Sequence, residues 1–408
     1  MNRRWVITLT LALVTLVVYF VSCRGEGAGF DYLVRQAYAF AHGRLDVDEQ
    51  PLHLQELLPW HGKWYVVFPP VPSLILVPFV AIFGRGFFQP LLSIVLGAVN
   101  VGLAHRLFLR LFARPATDIP DTGAATNDSG TSVANWLALL YAFGTIQWYH
   151  AEVGSAWYAT QIVALTFMWL FLLEATGRGR PVVCGLLVGA AHLSRLPCLF
   201  AAVFLPLYQR DVFFDGRRPR LRPFILLALG VLPALVLNAF FNYARFGTLK
   251  DVQFIHLQLL PAIGQEHNYR FGLMSVRYIP EHLKEILTAM PLWRSSFPYV
   301  IPSEFAMAIW FTTPAFVLML RARRREKLWL PSVAAALAVA LPSLMHGGNG
   351  FTQFGYRHTL DYMPFLLLLV GLGMRGKVDP WTRGLIVASM LVNLWGVLMI
   401  SRFGIFGF

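Results

Sequence analysis

One fully charged residue, Arg195, lies near the middle of a long apolar run, CGLLVGAAHLSRLPCLFAAVFLPLY, which covers residues 184–208. A charge in an apolar medium costs free energy unless it has a partner, so such residues are functional candidates by default. A guanidinium group can donate two parallel hydrogen bonds to a phosphate. Arg195 is therefore a candidate for binding a phosphate or another anion.

A denser polar group, YRHTLD, precedes a second apolar run near residue 362. On its own, Arg357 is typical of an interfacial anchor whose charge reaches the lipid headgroups. Tyr356, His358 and Asp361 provide more hydrogen-bonding capacity than an anchor needs. Arg195 and Arg357, if both face the same side of a membrane, would suit a lipid-linked phosphate.

An acidic residue, Asp31, precedes YLVRQAYAFAHG (32–43), in which apolar residues recur at helical spacing. The pattern predicts an amphipathic helix that ends at Gly43. A carboxylate at a helix N-terminus is favoured by the helix dipole and by free backbone amides, which predicts a plain cap. The functional alternative is a general base that faces a cavity, and the spacing fits both roles. The acidic cluster DVDE (46–49) is typical of a solvated loop.

The chain as a whole is far more apolar than a soluble protein. It has 408 residues, of which 57% are hydrophobic and 13% charged, whereas soluble domains carry about 25% charged residues. The net charge of +13 is spread over short clusters between apolar windows. This distribution is typical of cytoplasmic loops and argues against a nucleic-acid partner. The three cysteines have neither CxxC nor Cys/His spacing, so no disulfide framework and no zinc site is predicted. No cofactor and no bound metal is predicted elsewhere in the chain.

We predict an all-α polytopic membrane protein with about 11 transmembrane helices and a cytoplasmic N-terminus, in which the signal-like first helix stays uncleaved. The basic clusters near 3, 106–114, 217–222 and 321–327 are assigned to the cytoplasm. The predicted spans are about 5–22, 87–109, 132–149, 157–174, 223–243, 303–320, 328–345, 360–374 and 383–402. The predicted connections are a first extracytoplasmic loop with juxtamembrane helices (24–86), a flexible cytoplasmic loop (115–131), a short external turn, HAEVGSAW (150–157), and a second extracytoplasmic segment (244–302).

Two segments require special treatment. VPSLILVPFVAIFG (71–84) is apolar but too short to cross a bilayer, so it is predicted to be a juxtamembrane or interfacial helix. The basic clusters at 177–180 and 217–222 both favour the cytoplasm, so the chain between them must cross an even number of times. Two short helices that meet at SRLP satisfy this condition, because Pro197 disfavours helical geometry at the preceding residue. The alternative is one long tilted helix with Arg195 paired inside the bundle.

This topology gathers other polar residues on the outer side of the membrane. Lys63 and Arg245 are predicted at a depth similar to that of the two arginines. Glu152 is predicted in the short external turn, and Tyr243 at the start of the second external segment.

In the order of these pieces the chain resembles the GT-C superfamily of membrane glycosyltransferases, in the branch of the protein O-mannosyltransferases and the lipid A aminoarabinose transferase. The resemblance rests on degenerate patterns that together span residues 1 to about 375. They are FDYLVRQAYAFAHGRL, WYVVFPPVPSLILVPFVAIFG, LSRLP, FNYARFGTLKD and YRHTLDYMPFLLLL.

The resemblance implies transfer of a sugar from a polyprenyl-phosphate donor to an extracytoplasmic glycan, lipid or protein acceptor at the plasma (inner) membrane. It implies that Asp31 deprotonates the acceptor hydroxyl. It further implies that Arg195, Arg357 and Lys63 bind the donor phosphate. The implied donor or acceptor contacts are Glu152, Tyr243, Arg245, Tyr356, His358 and Asp361. Tyr32 stands where many members have a second acid, so Glu26 or the 46–49 cluster is the candidate for that group.

Two other functions compete with the enzyme. A transporter or flippase of a lipid-linked sugar would show internal repeats or paired broken helices, whereas the sequence shows one broken hairpin. A noncatalytic membrane scaffold would bind no donor.

Overall fold

The computed structural model describes residues 3–25, 29–48, 57–113, 127–250, 269–348, 350 and 352–405. Within these ranges, five helices are long and apolar enough to cross a membrane, and several shorter apolar helices accompany them. The chain is therefore an all-α protein embedded in a membrane, as predicted. The number of spans and their orientation stay predictions.

The α-helices in chain order are α1 (Arg3–Ser22), α2 (Tyr32–Ala41), α3 (Val71–Phe83), α4 (Pro90–Phe112), α5 (Asn127–Phe143), α6 (Gln147–Val153), α7 (Ala156–Ala175), α8 (Pro181–His192), α9 (Phe204–Tyr208), α10 (Arg210–Phe213), α11 (Leu221–Phe246), α12 (Ile279–Thr288), α13 (Ile309–Thr312), α14 (Trp329–Met345), α15 (Thr359–Gly373) and α16 (Pro380–Val397). Short 3₁₀ helices cover Gly84–Gly86, Leu196–Val203, Val276–Tyr278 and Pro314–Arg321, and a π-helical turn, Leu398–Arg402, extends α16. Among the described residues, three antiparallel strand pairs are β1 (Leu57–Trp60) with β2 (Lys63–Val66), β3 (Phe214–Asp215) with β4 (Arg218–Pro219), and β5 (Leu292–Trp293) with β6 (Val300–Ile301).

Between α1 and α4, the predicted external loop contains a small folded unit. The predicted helix after Asp31 is confirmed as α2, and the β1–β2 hairpin turns at His61 and Gly62, which both have positive φ. These elements and α3 share a second apolar core, which also contains residues from the first turns of α7, such as Ala156 and Ala159. The unit is therefore packed on one end of α7.

The helix predicted over 71–84 is confirmed as α3, which begins at Val71 and ends at Phe83, with Gly84 as its C-cap. Its side chains Ile82 and Phe83 are 76% and 64% exposed. Exposed apolar side chains on a helix too short to span a bilayer are expected for a helix that lies along the membrane. The backbone amide of Val71 donates to the Leu193 carbonyl at 3.2 Å, which ties α3 to the segment before Arg195.

The segment predicted to form one span at 132–149 is interrupted in the structure. Helix α5 begins at Asn127 and ends at Phe143, so residues 127–131 are helical and the predicted flexible loop was wrong at this end. The rest of that loop, from 115 to 126, lies outside the described residues. Helix α6 continues to Val153, which leaves only residues 154 and 155 as a link to α7.

The prediction of a single helix over 303–320 is also wrong. Helix α13 ends at Thr312, and a 3₁₀ helix starts at Pro314, which lacks an amide hydrogen and restricts the residue before it. The interrupted backbone is satisfied by α16, since Asn393 donates to the Thr312 carbonyl at 2.7 Å and Ser389 accepts from the Ala315 amide at 3.0 Å. Broken helices are tolerated inside a bundle when neighbours supply such partners.

Helices α8 and α11 touch through two glycines, Gly185 and Gly230. A Cβ atom on either glycine would overlap a backbone carbonyl oxygen of the other helix. Such close contacts between small residues let two helix backbones approach closely inside a membrane.

We expect Gly185→Ala to lower the free energy of unfolding by about 1–3 kcal/mol, because the added methyl group forces α8 away from α11. Gly384→Ala on α16 is the matched control, since a Cβ atom there meets nothing within 4 Å. Its higher helix propensity should make it neutral or slightly stabilising. Thermal unfolding in detergent measures both, and equal melting temperatures would contradict the close contact.

Candidate functional site

Arg195 lies in a break between two short helical segments. Helix α8 ends at His192, Arg195 has an extended backbone (φ −147°, ψ 110°), and the following 3₁₀ helix has Pro197 at its start. The predicted interruption at SRLP is therefore confirmed. The alternative of one continuous tilted helix is wrong. That alternative also predicted a partner for Arg195 inside the bundle, and such a partner is present.

That partner is Asp361, in the first turn of α15. The Arg195 guanidinium donates from Nη2 to Oδ2 at 2.8 Å and from Nε to Oδ1 at 3.1 Å. The carboxylate is completely buried, whereas 20% of the Arg195 side chain is exposed. The pair joins the hairpin break to α15 and leaves one edge of the guanidinium accessible.

Two further side chains complete this cluster. Gln161 of α7 donates from Nε2 to the Arg357 carbonyl at 3.0 Å and to Asp361 Oδ1 at 3.2 Å. The Nδ1 atom of His358 lies 3.3 Å from Arg195 Nη2. Because Nη2 is a donor only, we assign Nδ1 as the acceptor, which places the proton of a neutral imidazole on Nε2.

Two hydrogen-bond donors of this cluster have no acceptor among the described residues. They are Nη1 of Arg195 and Nε2 of His358, and the His358 side chain is nearly completely buried. Buried polar groups are usually hydrogen-bonded, so the unpaired Nε2 of His358 requires an explanation, whereas Nη1 lies on the accessible edge of the guanidinium. An anionic ligand with oxygen acceptors would satisfy both donors.

A chain of hydrogen bonds extends the cluster to α12. The Tyr356 hydroxyl lies 2.8 Å from His282 Nδ1, and His282 Nε2 lies 2.9 Å from the His346 carbonyl. Burial lowers the pKa of His282 below its ordinary value. Burial, with a smaller contribution from the charges of Arg195 and Arg357, lowers the pKa of His346 to about 4. Both imidazoles are therefore neutral near pH 7.

We expect the melting temperature to fall as the pH is lowered from about 7 to 5. In the unfolded chain His282 titrates near its ordinary pKa of about 6.5 and binds a proton that the folded protein does not, so stability is lost as the pH falls. His282→Gln can keep both hydrogen bonds and should flatten part of this dependence, with the other buried histidines, His346 among them, contributing to the remainder. His42→Gln on the exposed end of α2 is the control. An unchanged pH profile for His282→Gln would contradict the assignment.

Asp31 is held close to α7 by its neighbours. Gln89 donates from Nε2 to the carbonyls of Phe30 and Gly154, both at 3.0 Å, and the Phe30 ring lies 4.8 Å from that of Trp157. Gly154 has positive φ, and a Cβ atom there would collide with Pro90, so only glycine fits this link. Trp157 is one helical turn before Gln161, so the segments of Asp31 and Arg357 both attach to the first turns of α7.

The side chain of Asp31 makes a different contact from the predicted cap. It occupies the N-cap position of α2, but it accepts no capping hydrogen bond. Its Oδ1 atom instead accepts from Arg35 Nε at 2.7 Å, and Oδ2 has no hydrogen bond with the described residues. The predicted N-cap position of Asp31 is therefore confirmed, but its side chain does not bond the free backbone amides. The structure shows no contact between Asp31 and Arg195.

The remaining predicted site residues lie apart from the Arg195 cluster. Lys63 pairs with Asp46 at 3.1 Å. The Glu152 carboxylate is buried and accepts a hydrogen bond from Ser401. Glu152 belongs to α6, so the turn predicted at this residue is wrong.

Tyr243 and Arg245 belong to the last turn of α11, which extends to Phe246, past the predicted end of this span at 243. Tyr243 is 58% exposed. Arg245 is buried, donates to the Val66 carbonyl at 2.9 Å and stacks on Phe241 at 3.6 Å. Arg245 therefore anchors the end of α11 to β2.

The acids proposed as a second carboxylate have surface partners or lie outside the described residues. Asp48 pairs with Arg44 and with Arg85. Glu26 and Glu49 are not among the described residues. Within the described part of the chain, His, Cys, Asp and Glu side chains do not form a group of three that could hold a metal ion.

The structure thus brings together Arg195, His358 and Asp361, with Tyr356 and Arg357 beside them along the chain. Sequence reasoning did not single out Gln161, His282 or His346. The one signal in the sequence was the polarity of Gln161, which is the first strongly polar residue inside the apolar run that becomes α7.

Comparisons with protein-family models, curated proteins and solved structures found no match for this chain.

Proposed function

We propose that the protein is a membrane glycosyltransferase that moves a sugar from a polyprenyl-phosphate donor to a hydroxyl group at the extracytoplasmic face of the plasma membrane. The observation that carries the proposal is the cluster at the hairpin break, in which Arg195 Nη1 and the buried His358 Nε2 have no acceptor among the described residues. A phosphate group offers acceptors to both. Arg357 adds a second guanidinium, whose charge acts on His358.

In the proposed reaction, the acceptor oxygen forms a bond with the anomeric carbon while the bond from that carbon to the phosphate oxygen breaks. The acceptor proton goes to a carboxylate, and the polyprenyl phosphate leaves with one additional negative charge. Donors aimed at this developing charge stabilise the transition state, and one such donor contributes about 10²–10³ in rate. Arg195, His358 and Arg357 are assigned this role.

Asp31 is assigned the role of general base. Arg35 fixes one carboxylate oxygen, and the other has no hydrogen bond with the described residues, so it can accept a proton. The attachment of both the Asp31 and Arg357 segments to the first turns of α7 supports a common site. Lys63 is not needed for phosphate binding in this proposal, because Asp46 is its partner.

The proposal is tested by comparing lipid-linked sugars and surface glycans in cells with and without the protein. We expect a polyprenyl-phosphate sugar to accumulate and one glycan linkage to disappear when the protein is absent. The accumulating lipid would identify the donor sugar. Purified protein in liposomes should then cleave that lipid in the presence of an acceptor. Movement of the intact donor across the bilayer without cleavage would contradict the proposal and favour a flippase.

A further inference from the structure

A cavity of about 480 Å³ opens where α1 begins and where α4 and α7 end. Three arginines, Arg4, Arg106 and Arg110, contribute to its wall. The apolar part of the wall includes Trp5, Leu103 and Leu173. The cavity therefore combines a high positive charge with an apolar lining.

Two of these arginines are positioned by contacts that do not neutralise them. The Arg106 guanidinium lies 3.9 Å above the Trp5 ring, and Arg110 donates to the Leu173 backbone carbonyl. Gly177 makes room for Arg110, because a Cβ atom there would collide with its guanidinium. Within the described ranges, no carboxylate forms an ion pair with Arg106 or Arg110.

The cavity lies at the opposite end of α7 from the Arg195 cluster. Leu173 follows Gln161 by 12 residues, which corresponds to about 18 Å along a helix. Helices α1, α4 and α7 are three of the helices able to cross a membrane. The cavity is therefore at one membrane surface, and the polar cluster is near the other.

An apolar path leads from this cavity along the membrane-facing side of α1. Trp5, Leu9 and Leu13 follow each other at intervals of four residues, which places them on one face of the helix. They are 46%, 51% and 60% exposed. A ligand with a charged head and an apolar tail can contact both the arginines and this face.

We infer that the cavity binds the headgroup of an anionic phospholipid, with the acyl chains lying along the Trp5, Leu9 and Leu13 face of α1. Basic pockets between transmembrane helices are suited to such headgroups, and each arginine near the surface adds to the attraction. The planar guanidinium groups can donate two hydrogen bonds to one phosphate. A free phosphate would use the arginines but would gain nothing from the apolar path.

The test measures lipid binding to the purified full chain in detergent by native mass spectrometry. Phosphatidylglycerol and phosphatidylcholine with identical acyl chains are the probes, and excess inorganic phosphate is the competitor. We expect the wild type to prefer phosphatidylglycerol and to retain it against phosphate. Combined Arg106→Gln and Arg110→Gln should weaken phosphatidylglycerol binding about 30-fold.

The control variant combines Arg323→Gln and Arg325→Gln, which removes the same charge from exposed positions outside the cavity. It should bind phosphatidylglycerol like the wild type. An equal loss in both variants would assign the preference to diffuse electrostatics and overturn the site. Displacement by inorganic phosphate would assign the cavity to a free phosphate and overturn the lipid. If the Arg106 and Arg110 variant does not fold, the test rests on the lipid preference of the wild type and of the control variant. Absence of a preference for phosphatidylglycerol in these two proteins overturns the inference.

Discussion

Arg195→Leu is expected to lower the free energy of unfolding by about 3–5 kcal/mol. The substitution removes the partner of a completely buried carboxylate, Asp361. Breaking a buried ion pair costs the most free energy when one of the two charges stays buried without a partner. The measurement is the melting temperature of the purified variant in detergent, together with the amount of folded protein recovered. Loss of activity in this variant alone would therefore not identify a phosphate-binding residue.

The combined variant Arg195→Leu and Asp361→Leu separates the two roles. Replacing both partners of a buried pair by apolar residues is often neutral or stabilising, so most of the lost stability should return. The folded double variant should still fail to bind polyprenyl phosphate if Arg195 contacts the phosphate. Arg35→Leu is the control for the cost of losing an accessible ion pair, expected at about 0–1 kcal/mol. Full donor binding by the double variant would show that Arg195 has a structural role only.

The partner of Arg195 illustrates the limit of what the sequence could predict. The break itself was predictable, because Pro197 disfavours helical geometry at the residue before it. Asp361 was recognised as part of a dense polar group, but it is 166 residues from Arg195. No local pattern connects residues at that distance, since the pairing depends on how α15 packs against the hairpin.

The two interrupted helices have a related explanation. Apolar windows near 132–149 and 303–320 predict continuous spans, because hydropathy reports only whether a segment can enter the membrane. The break before Pro314 is stable because Asn393 and Ser389 of α16 satisfy the freed backbone groups. These partners belong to another helix that packs against the break, so they cannot be predicted from the sequence near it.

In the segment after Asp31, the helix was predicted correctly and the side-chain contact was not. The spacing of its apolar residues predicted α2 correctly, because a face of buried side chains such as Leu33 and Ala37 determines the helix. The contact predicted for the Asp31 side chain was wrong, because Arg35, one turn later, competes for the carboxylate more effectively than the backbone amides do. Helical periodicity specifies the backbone, whereas the choice between two hydrogen-bond donors depends on side-chain geometry.

Asp31→Asn is expected to reduce sugar transfer by about 10²–10⁴, the range that a general base contributes. The amide has a similar shape but cannot accept the acceptor proton. The melting temperature should change little, because the pair with Arg35 is partly exposed and such pairs contribute about 0–1 kcal/mol. The measurement is the rate of transfer from the donor identified in cells, with binding of that donor measured in parallel.

Asp48→Asn is the matched control, since this carboxylate also pairs with arginines on the same folded unit. It should transfer sugar at the wild-type rate. Arg35→Gln provides a second comparison, because it keeps the Asp31 carboxylate but removes the group that orients it, and a smaller loss than that of Asp31→Asn is expected. Unchanged transfer by Asp31→Asn would remove the base from the mechanism. Unchanged donor binding with lost transfer would distinguish a role in proton transfer from a role in binding, because only the bond-forming step requires an acceptor for the proton.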